Sequence, residues 1–518
     1  MKYQPSIFAV GKTKFMRQFH FLVNILAWGC ICYAGALSAQ IKEGSYRLCD
    51  FHQHTTFSDG EHSLGYDFQA CDSIDLAWWA NSEHGGPAPY NGLVSGKDKG
   101  QFIRWTAEQI KGDVTPDEEG LLAMWRWQTL SEYSFPEIIR LRKQVYPKRT
   151  LIQGVEWNVP GHEHASFAIL DGQFDTNPHC TPLAEFEYKF DSRDHDIQGG
   201  KARGWQKSTN KEHAKALEGI AWLKEHHPQS SWVIPAHPDR KSRWTIADFR
   251  EMNDLAPEIC FGFEGIPGHQ RSKDRGEYAP RNNTYGTYTY GGAGLMIAKV
   301  GGLWDALLSE GRHWWLFTCS DFHNMRSDFL PGEYNKTYLY LPDKIEPMRL
   351  ADYLRSGNCF VVSGNFIRDL RFELNGSKMG QTLKVKKGEP IVVDILLTEN
   401  SDSPVRLDHV DLIAGEVHPK AKPGSEAYQC DSVGTTRVIA RFTEKEWTRE
   451  ANGQIHIQYQ IKPTSSHTYY RLRGTHHAIA TPGETDQNGN PLPDNGINTE
   501  DKAMNDQWFY TNPIFCEY

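Results

Sequence analysis

The chain has 518 residues, 39% hydrophobic and 23% charged, which suits folded domains and is too long for one of ordinary size. Its 56 basic and 65 acidic residues leave a net charge of −9 with no Lys/Arg stripe, which excludes the electrostatic footprint of a nucleic-acid binder. No internal repeat of about 20–50 residues is visible, which excludes solenoids and propellers.

Lys12, Lys14 and Arg17 precede an apolar run from Phe19 to Leu37, and the small residues Ala34-Gly35-Ala36-Leu37-Ser38-Ala39 follow at its end. This reads as a basic region, an apolar core and a cleavage site, so residues 1–39 are expected to be a signal peptide. The mature chain is then periplasmic or secreted, with no stable membrane span. An uncleaved anchor is the alternative; Asn24 and the small residues argue for cleavage. Cys49, Cys71, Cys180, Cys260, Cys319, Cys359, Cys430 and Cys516 have no Cys-x-x-Cys spacing. Those in apolar runs read as buried thiols, and sequence assigns no disulfide pair.

From residue 46 onward, short apolar runs alternate with helical segments. The runs are Tyr46–Phe51, Ile74–Ala80, Thr150–Val155, Ala165–Leu170, Ser231–Ala236, Ile259–Phe263 and Trp314–Cys319. Candidate helices are Ser63–Ser73, Phe135–Tyr146, Asn210–His226, Thr245–Leu255 and Leu303–Glu310. Such alternation implies a parallel sheet. Nearly every run carries a His, Asp or Glu at an edge: His52 and His54, Glu83 and His84, Glu156, His162 and His164, His237, Glu264, and Asp321 and His323. Polar residues gathered at strand ends are the arrangement of a β/α barrel, whose active face collects those ends. Residues 87–149, 171–230 and 266–300 exceed the usual connection of about two to six residues and are expected to shape specificity.

Past residue 365 the helical signals fade. Leu370–Leu374, Ile391–Thr398, His409–Ile413, Thr436–Phe442, Gln454–Ile461 and His467–Gly474 read as strands between polar turns, with Trp508–Phe515 as a closing strand. A β-sandwich is expected. The division is therefore a leader (1–39), an α/β barrel (40–364) and an all-β sandwich (365–518).

His52-Gln53-His54 closes the first run. Residues i and i+2 of a strand share a face, so both imidazoles can meet one point, with Asp59 in the Ser-Asp-Gly turn beyond. They are metal-ligand types, or they are exposed histidines without a role. His162 and His164 likewise share a face and are rivals for one position. Imidazole and carboxylate donors suit Zn, Mn or Fe and do not choose among them. Two or three such ions held together favour hydrolysis of an anionic ester. Arg240 and Arg326, each three residues after a strand-end histidine, are candidate substrate-binding cations. Trp157, beside Glu156, is a candidate pocket wall, and Arg240 and His269 are candidates to assist a leaving group.

Asp50-Phe51-His52-Gln53-His54-Thr55-Thr56-Phe57-Ser58-Asp59-Gly60 resembles the first motif of the PHP (polymerase and histidinol phosphatase) family. Ser82-Glu83-His84-Gly85, Gly154-Val155-Glu156, Pro235-Ala236-His237-Pro238 and Cys319-Ser320-Asp321-Phe322-His323 resemble later ones, in order. Glu83 stands where the family more often has Asp. The resemblance implies a distorted seven-stranded (β/α)7 TIM-like barrel and a metal-dependent hydrolase, most of all a phosphoesterase, using a hydroxide generated on a multinuclear site. It implies His52, His54, Glu156 and Asp321 around one ion, Glu156 shared with His164 and His237 around a second, and Asp59, His84 and His323 around a third. The substrate implied is a small-molecule or glycan-linked anionic ester. Leu354–Gly364, Glu373-Leu374-Asn375-Gly376 and Thr511-Asn512-Pro513-Ile514 resemble the sandwich of exported PHP hydrolases related to carbaryl-type esterases. That branch also acts on carboxylesters, carbamates or amides. A barrel that only binds carbohydrate or envelope material is the remaining alternative.

Overall fold

The computed structural model describes residues 44–93, 102–116, 120–278, 287–386, 388–462, 466–495 and 500–518. The expected leader lies outside them, as does part of the Gly/Tyr-rich segment before residue 287. The chain divides into two compact units, residues 1–45 with 341–344 and residues 46–340 with 345–518. Of the first, residues 44–45 and 341–344 are described. The site belongs to the second, which is mixed α/β with a large mixed sheet and several smaller ones.

Strand β1 (Ser45–Asp50) pairs parallel with β2 (Trp78–Asn81) through helix α1 (Leu64–Ser73). Ser63 caps α1, its side chain accepting from Tyr66 N, which satisfies one of the free N–H groups of the first turn. Leu64, Phe68 and Cys71 of α1 pack on Trp79 and Leu151, joined by Ile138 and Leu141 of α2 (Phe135–Gln144). Strand β3 (Thr150–Gln153) adds parallel to β2. The chain then breaks at Gly154, where a Cβ would stand 3.0 Å from Phe167 O, and resumes as β4 (Val155–Asn158).

Strand β5 (His164–Ile169) runs antiparallel to β4 and also to β6 (Ser231–Pro235). This corrects the expectation of a uniformly parallel sheet. The loop 159–163 is too short to carry a helical crossover, and parallel neighbours need one of about a dozen residues. His164 therefore stands at the start of its strand. Helices α3 (Thr181–Phe190) and α4 (Glu212–His226) fill the long connection to β6. Helix α5 (Ile246–Leu255) leads from β6 to β7 (Gly262–Ile266), and α6 (Leu303–Leu308) leads to β8 (Trp315–Thr318), which pairs parallel with β7. Single parallel bridges join His84 to Glu156, Ala236 to Glu264, and Gln53 to Phe322. They bring the ends of β2, β4, β6, β7, β8 and β1 side by side.

Strands β9 (Asn335–Leu341) and β10 (Cys359–Ser363) extend the sheet beyond β1, antiparallel to each other. Strands β11 (Ile367–Leu374), β12 (Ile391–Glu399), β13 (His409–Glu416), β14 (Arg437–Phe442), β15 (Gln454–Ile461), β16 (Thr468–Thr475), β17 (Trp508–Thr511) and β18 (Ile514–Glu517) follow. β11, β12 and β15 pair antiparallel in a five-stranded sheet. β13, β16, β17 and β18 join the eleven-stranded sheet, β17 pairing with β10. One apolar cluster lies between: Ile391, Val393, Ile395 and Leu397 from one sheet, Leu412, Leu472 and Phe509 from the other, with Tyr338, Phe360 and Val362. Val392 between them is exposed, the alternation of a strand with one buried face. The expected closing strand is two, β17 and β18, split at Asn512-Pro513, where proline cannot donate to the ladder.

Candidate metal centre

The end of β1 is fixed from below. Buried Asp50 accepts from His52 N at 3.1 Å and from Ser320 N at 2.8 Å, tying the β1 and β8 ends together. Burial pushes its carboxyl up to about 7 against those bonds. His54 N donates to Phe322 O, and Asp321 N to His52 O. His237, His269 and Asp321 all hold left-handed backbone, with φ of 34°, 54° and 48°. Each costs on the order of 1–2 kcal/mol for a non-glycine residue, and all three sit at the candidate site.

Three groups of donor atoms meet there. His52 Nε2 lies 3.1 Å from Glu156 Oε1 and 3.2 Å from Asp321 Oδ1. His54 Nε2 lies 3.3 Å from Glu156 Oε2 and 3.3 Å from Asp321 Oδ1. On the other side of Glu156, its Oε1 is 3.1 Å from His164 Nδ1 and 3.2 Å from His237 Nε2. Asp59 makes the third group, 3.3 Å from both His84 Nε2 and His323 Nε2. His84 Nδ1 is also 2.7 Å from Glu156 Oε2.

Many of these contacts are not hydrogen bonds. His84 Nδ1, His164 Nδ1, Glu156 Oε2 and both Asp321 oxygens are buried without a hydrogen-bond partner among the described residues. Buried charged oxygens without partners are costly. Two ligand atoms each about 2.0–2.2 Å from one ion stand roughly 3.0–3.5 Å apart, the spacing seen here. The residues therefore fit divalent ions. His/Asp/Glu groups with atoms mutually within 4.8 Å include His54-Asp59-His84-His323, His52-His54-Asp321 and His84-Glu156-His164.

The electrostatics agree. Burial opposes ionisation of Glu156, but His164, His52 and His84 outweigh it and hold the carboxylate well below its usual range. Asp321 is held down against burial by His52 and His269. Burial also opposes charge on His84, yet Glu156 and Asp59 raise it to about 9. His237 goes the other way, down to about 3, through burial and then Arg240.

A second layer holds the imidazoles. Glu264 Oε2 lies 3.0 Å from His52 Nδ1, while its other oxygen accepts from Ser166 Oγ. Ser58 Oγ lies 3.1 Å from His54 Nδ1 and donates to Glu83, which also accepts from Thr55 N, Thr55 Oγ1 and Asn81 Nδ2. His269 is set between two carboxylates, with Nδ1 2.6 Å from Asp328 Oδ1 and Nε2 3.2 Å from Asp321 Oδ2.

The groups open into a cavity of about 290 Å³ whose lining includes Arg193, Arg240, Lys241, Asn324 and Ser327. Arg240 is buried; its Nη2 lies 2.8 Å from His237 Nε2, its Nη1 lies 3.9 Å from Glu277 Oε2, and its Nε and Nη1 have no hydrogen-bond partner among the described residues. His162 is not in this cavity: it stacks on Trp244, so of the two rivals it is His164 that faces Glu156.

Two expected substrate residues stand elsewhere. Trp157 is buried with Nε1 donating to Phe190 O and its ring against Phe186; it follows Glu156 on a strand and so faces the opposite side. Arg326 is exposed, bidentate with Glu61 and outside the cavity lining. Glu83 and Glu264 are visible in the sequence at strand ends, but their roles beneath His54 and His52 depend on contacts across strands. Arg193 and Asp328 carry no local sequence signal.

No protein-family model matches the chain, and no curated protein matches it. Among solved structures, it is similar to a two-domain protein from Bacteroides vulgatus described as containing a predicted PHP-like metal-dependent phosphoesterase. The TM-score is 0.32 at 11% identity, over 88% of this chain and 95% of that one.

Proposed function

We propose that this chain is a metal-dependent hydrolase of the PHP type, acting on a phosphoester through two or three divalent ions. The observation that carries this is the shared carboxylate of Glu156, with His52, His54, His84, His164 and His237 each within 3.3 Å of one of its oxygens. His52, His54, Glu156 and Asp321 would hold one ion, Glu156, His164 and His237 a second, and Asp59, His84 and His323 a third. Bound there, such ions lower the pKa of a coordinated water toward about 7 and neutralise charge on the group transferred.

The chain's own side chains supply the rest. Arg240 lines the cavity with Nε and Nη1 outside any hydrogen bond among the described residues and Glu277 3.9 Å from Nη1, and a guanidinium there favours an anionic oxygen over a neutral one. Arg193 and Lys241 line the same space. His269, oriented by Asp328, stands where it can hold a proton toward a leaving group. Buried Glu264 and Glu83 keep His52 and His54 in one orientation, as acceptors behind metal-bound imidazoles do. The strand bridges support reading the strand ends as a distorted seven-stranded barrel, and the basic-apolar-small segment before residue 40 supports export to the periplasm or beyond.

The test is turnover of p-nitrophenyl phosphate, bis(p-nitrophenyl) phosphate and p-nitrophenyl acetate by the metal-loaded protein. A phosphoester cleaved faster than the acetate, and lost in Glu156→Gln, supports the proposal. Acetate cleaved through the same residues with neither phosphoester touched would place the chain among carboxylester hydrolases instead.

A further inference from the structure

His269 stands in the cavity wall on left-handed backbone, with φ of 54°. A non-glycine residue keeps that conformation only where its surroundings impose it. Asp328 and Asp321 meet the ring. The backbone is held from the other side. His269 O accepts from Ser272 N at 3.1 Å and from Gly276 N at 3.0 Å, which closes the segment 269–276 on itself. Two buried polar side chains, Gln270 and Arg275, stand beside the two ends of that closure.

Arg275 ties them to a distant part of the chain. Its Nε donates to Gln270 Oε1 at 2.7 Å, and Gln270 Nε2 donates to Pro267 O at 2.7 Å and to Gly292 O at 3.0 Å. Its Nη1 meets Asp494 Oδ2 at 3.2 Å and donates to Asp506 Oδ2, while its Nη2 donates to the Tyr334 hydroxyl. Asp494 and Asp506 lie in the connection from β16 to β17, 219 and 231 residues further along the chain.

Both carboxylates are themselves anchored. Asp494 Oδ2 accepts from Thr289 Oγ1 at 2.7 Å and from Gly292 N at 2.9 Å, and Asp506 Oδ1 accepts from Trp508 Nε1 at 2.8 Å. A Cβ at Gly292 would stand 2.8 Å from Arg275 Nη2 and 2.9 Å from Gln270 Oε1, so the backbone there is pressed onto the pair. Arg275, Gln270, Asp494 and Asp506 are all outside the cavity lining. A buried ion pair adds little net stability over apolar packing, whereas a guanidinium fork matched at Nε, Nη1 and Nη2 fixes direction.

We propose that Arg275, held by Asp494 and Asp506, is a positioning residue for His269, so that the connection between β16 and β17 helps to build the wall of the metal centre. This rests on the hydrolase reading, in which His269 serves the leaving group. Acting through Gln270 on one side and Gly276 on the other, Arg275 sets where the His269 ring enters the cavity. The competing role is packing alone.

The test is a double-mutant cycle on the metal-loaded full-length protein. Arg275→Lys keeps the buried charge but cannot span Gln270, Asp506 and Tyr334 at once. The proposal expects kcat for the phosphoester the wild type cleaves fastest to fall by up to about 10²-fold, with KM and retained metal unchanged. It expects that fall to vanish in the His269→Ala background. No fall, or an equal fall in both backgrounds, overturns the proposal and leaves packing. If Arg275→Lys fails to fold, Asp494→Ala decides, since it leaves Arg275 paired with Asp506. A smaller fall, again absent in the His269→Ala background, is expected, and unchanged kcat overturns the proposal. Amide hydrogen exchange over residues 268–277 tests the tie without turnover. Faster exchange there in the variant, with residues 50–60 unchanged, is expected, and unchanged exchange overturns the proposal. A wild type that cleaves no phosphoester sinks the hydrolase reading instead, and exchange then decides the tie by itself.

Discussion

The Nε2 atoms of His52 and His54 lie 3.2 Å apart at the end of one strand, and Asp321 Oδ1 is within 3.3 Å of both. Two imidazole nitrogens approach each other this closely around a shared carboxylate oxygen when a cation lies among them. Asp321→Asn keeps the shape and removes the charge. It is predicted to lower turnover of a phosphoester roughly 10³-fold, since a metal supplies several kcal/mol of charge stabilisation. Steady-state kinetics beside metal analysis of the variant check this; full activity with normal metal content would contradict the assignment.

Glu83 acts on the centre through Ser58, whose hydroxyl lies between it and His54 Nδ1. Glu83→Gln retains the volume and weakens the acceptor. Outer partners of metal-bound histidines are worth about 10–100-fold in affinity or activity. The predicted result is a shift of that size in the metal concentration needed for half-maximal turnover, with maximal turnover largely recovered at saturating metal. Titration of activity against metal separates this from a loss of fold.

Arg240 and Arg326 are predicted to differ although each follows a strand-end histidine by three residues. Charge-assisted hydrogen bonds are worth about 1.5–3 kcal/mol, so Arg240→Ala should lower kcat/KM for a phosphoester by about 10–100-fold. Arg193→Ala should raise KM by a smaller factor, because Arg193 is exposed. Arg326→Ala should leave both constants unchanged, since its partner is Glu61. A kinetic comparison of the three variants checks the order.

Lys336 carries a stability prediction away from the centre. Burial lowers its ammonium from about 10.5 to about 8, with Asn365 its hydrogen-bond acceptor. Between those two values the unfolded chain binds a proton that the folded chain does not. Stability therefore rises with pH across that window and is lowest below about pH 8, where the buried ammonium costs about 3 kcal/mol. Lys336→Met should be the more stable protein at pH 7 and should lose the rise between pH 8 and 10. Denaturant midpoints at pH 7 and 9.5 check it.

Much of this arrangement is legible in the sequence because it is local. Ser63 and Thr245 mark the starts of α1 and α5, and both cap them. Pro182 near the start of α3 is a signal of the same kind for a helix outside the expected set. His-x-His follows from strand periodicity alone. What is not legible depends on direction and distance. The reversal of β5 comes from the short loop 159–163, and periodicity has no sense of strand direction. The same two-residue spacing that unites His52 and His54 cannot separate His162 from His164; Trp244 and Glu156 do that across the fold. Arg326 is lost to the cavity through a pair with Glu61, far away in the chain, and Arg193 is gained through the insertion 171–230.

The central claim is that the groups around Glu156 hold divalent ions that hydrolysis requires. Its most direct test is a metal titration of chelator-stripped protein with phosphoester turnover as the readout. The account predicts no turnover in the stripped protein and recovery on adding Zn²⁺, Mn²⁺ or Fe²⁺. It also predicts two or three ions retained at the centre, fewer in His54→Ala, and no recovery in Asp321→Ala. Turnover that persists without metal, or a wild-type protein that retains no more metal than His54→Ala, would contradict it.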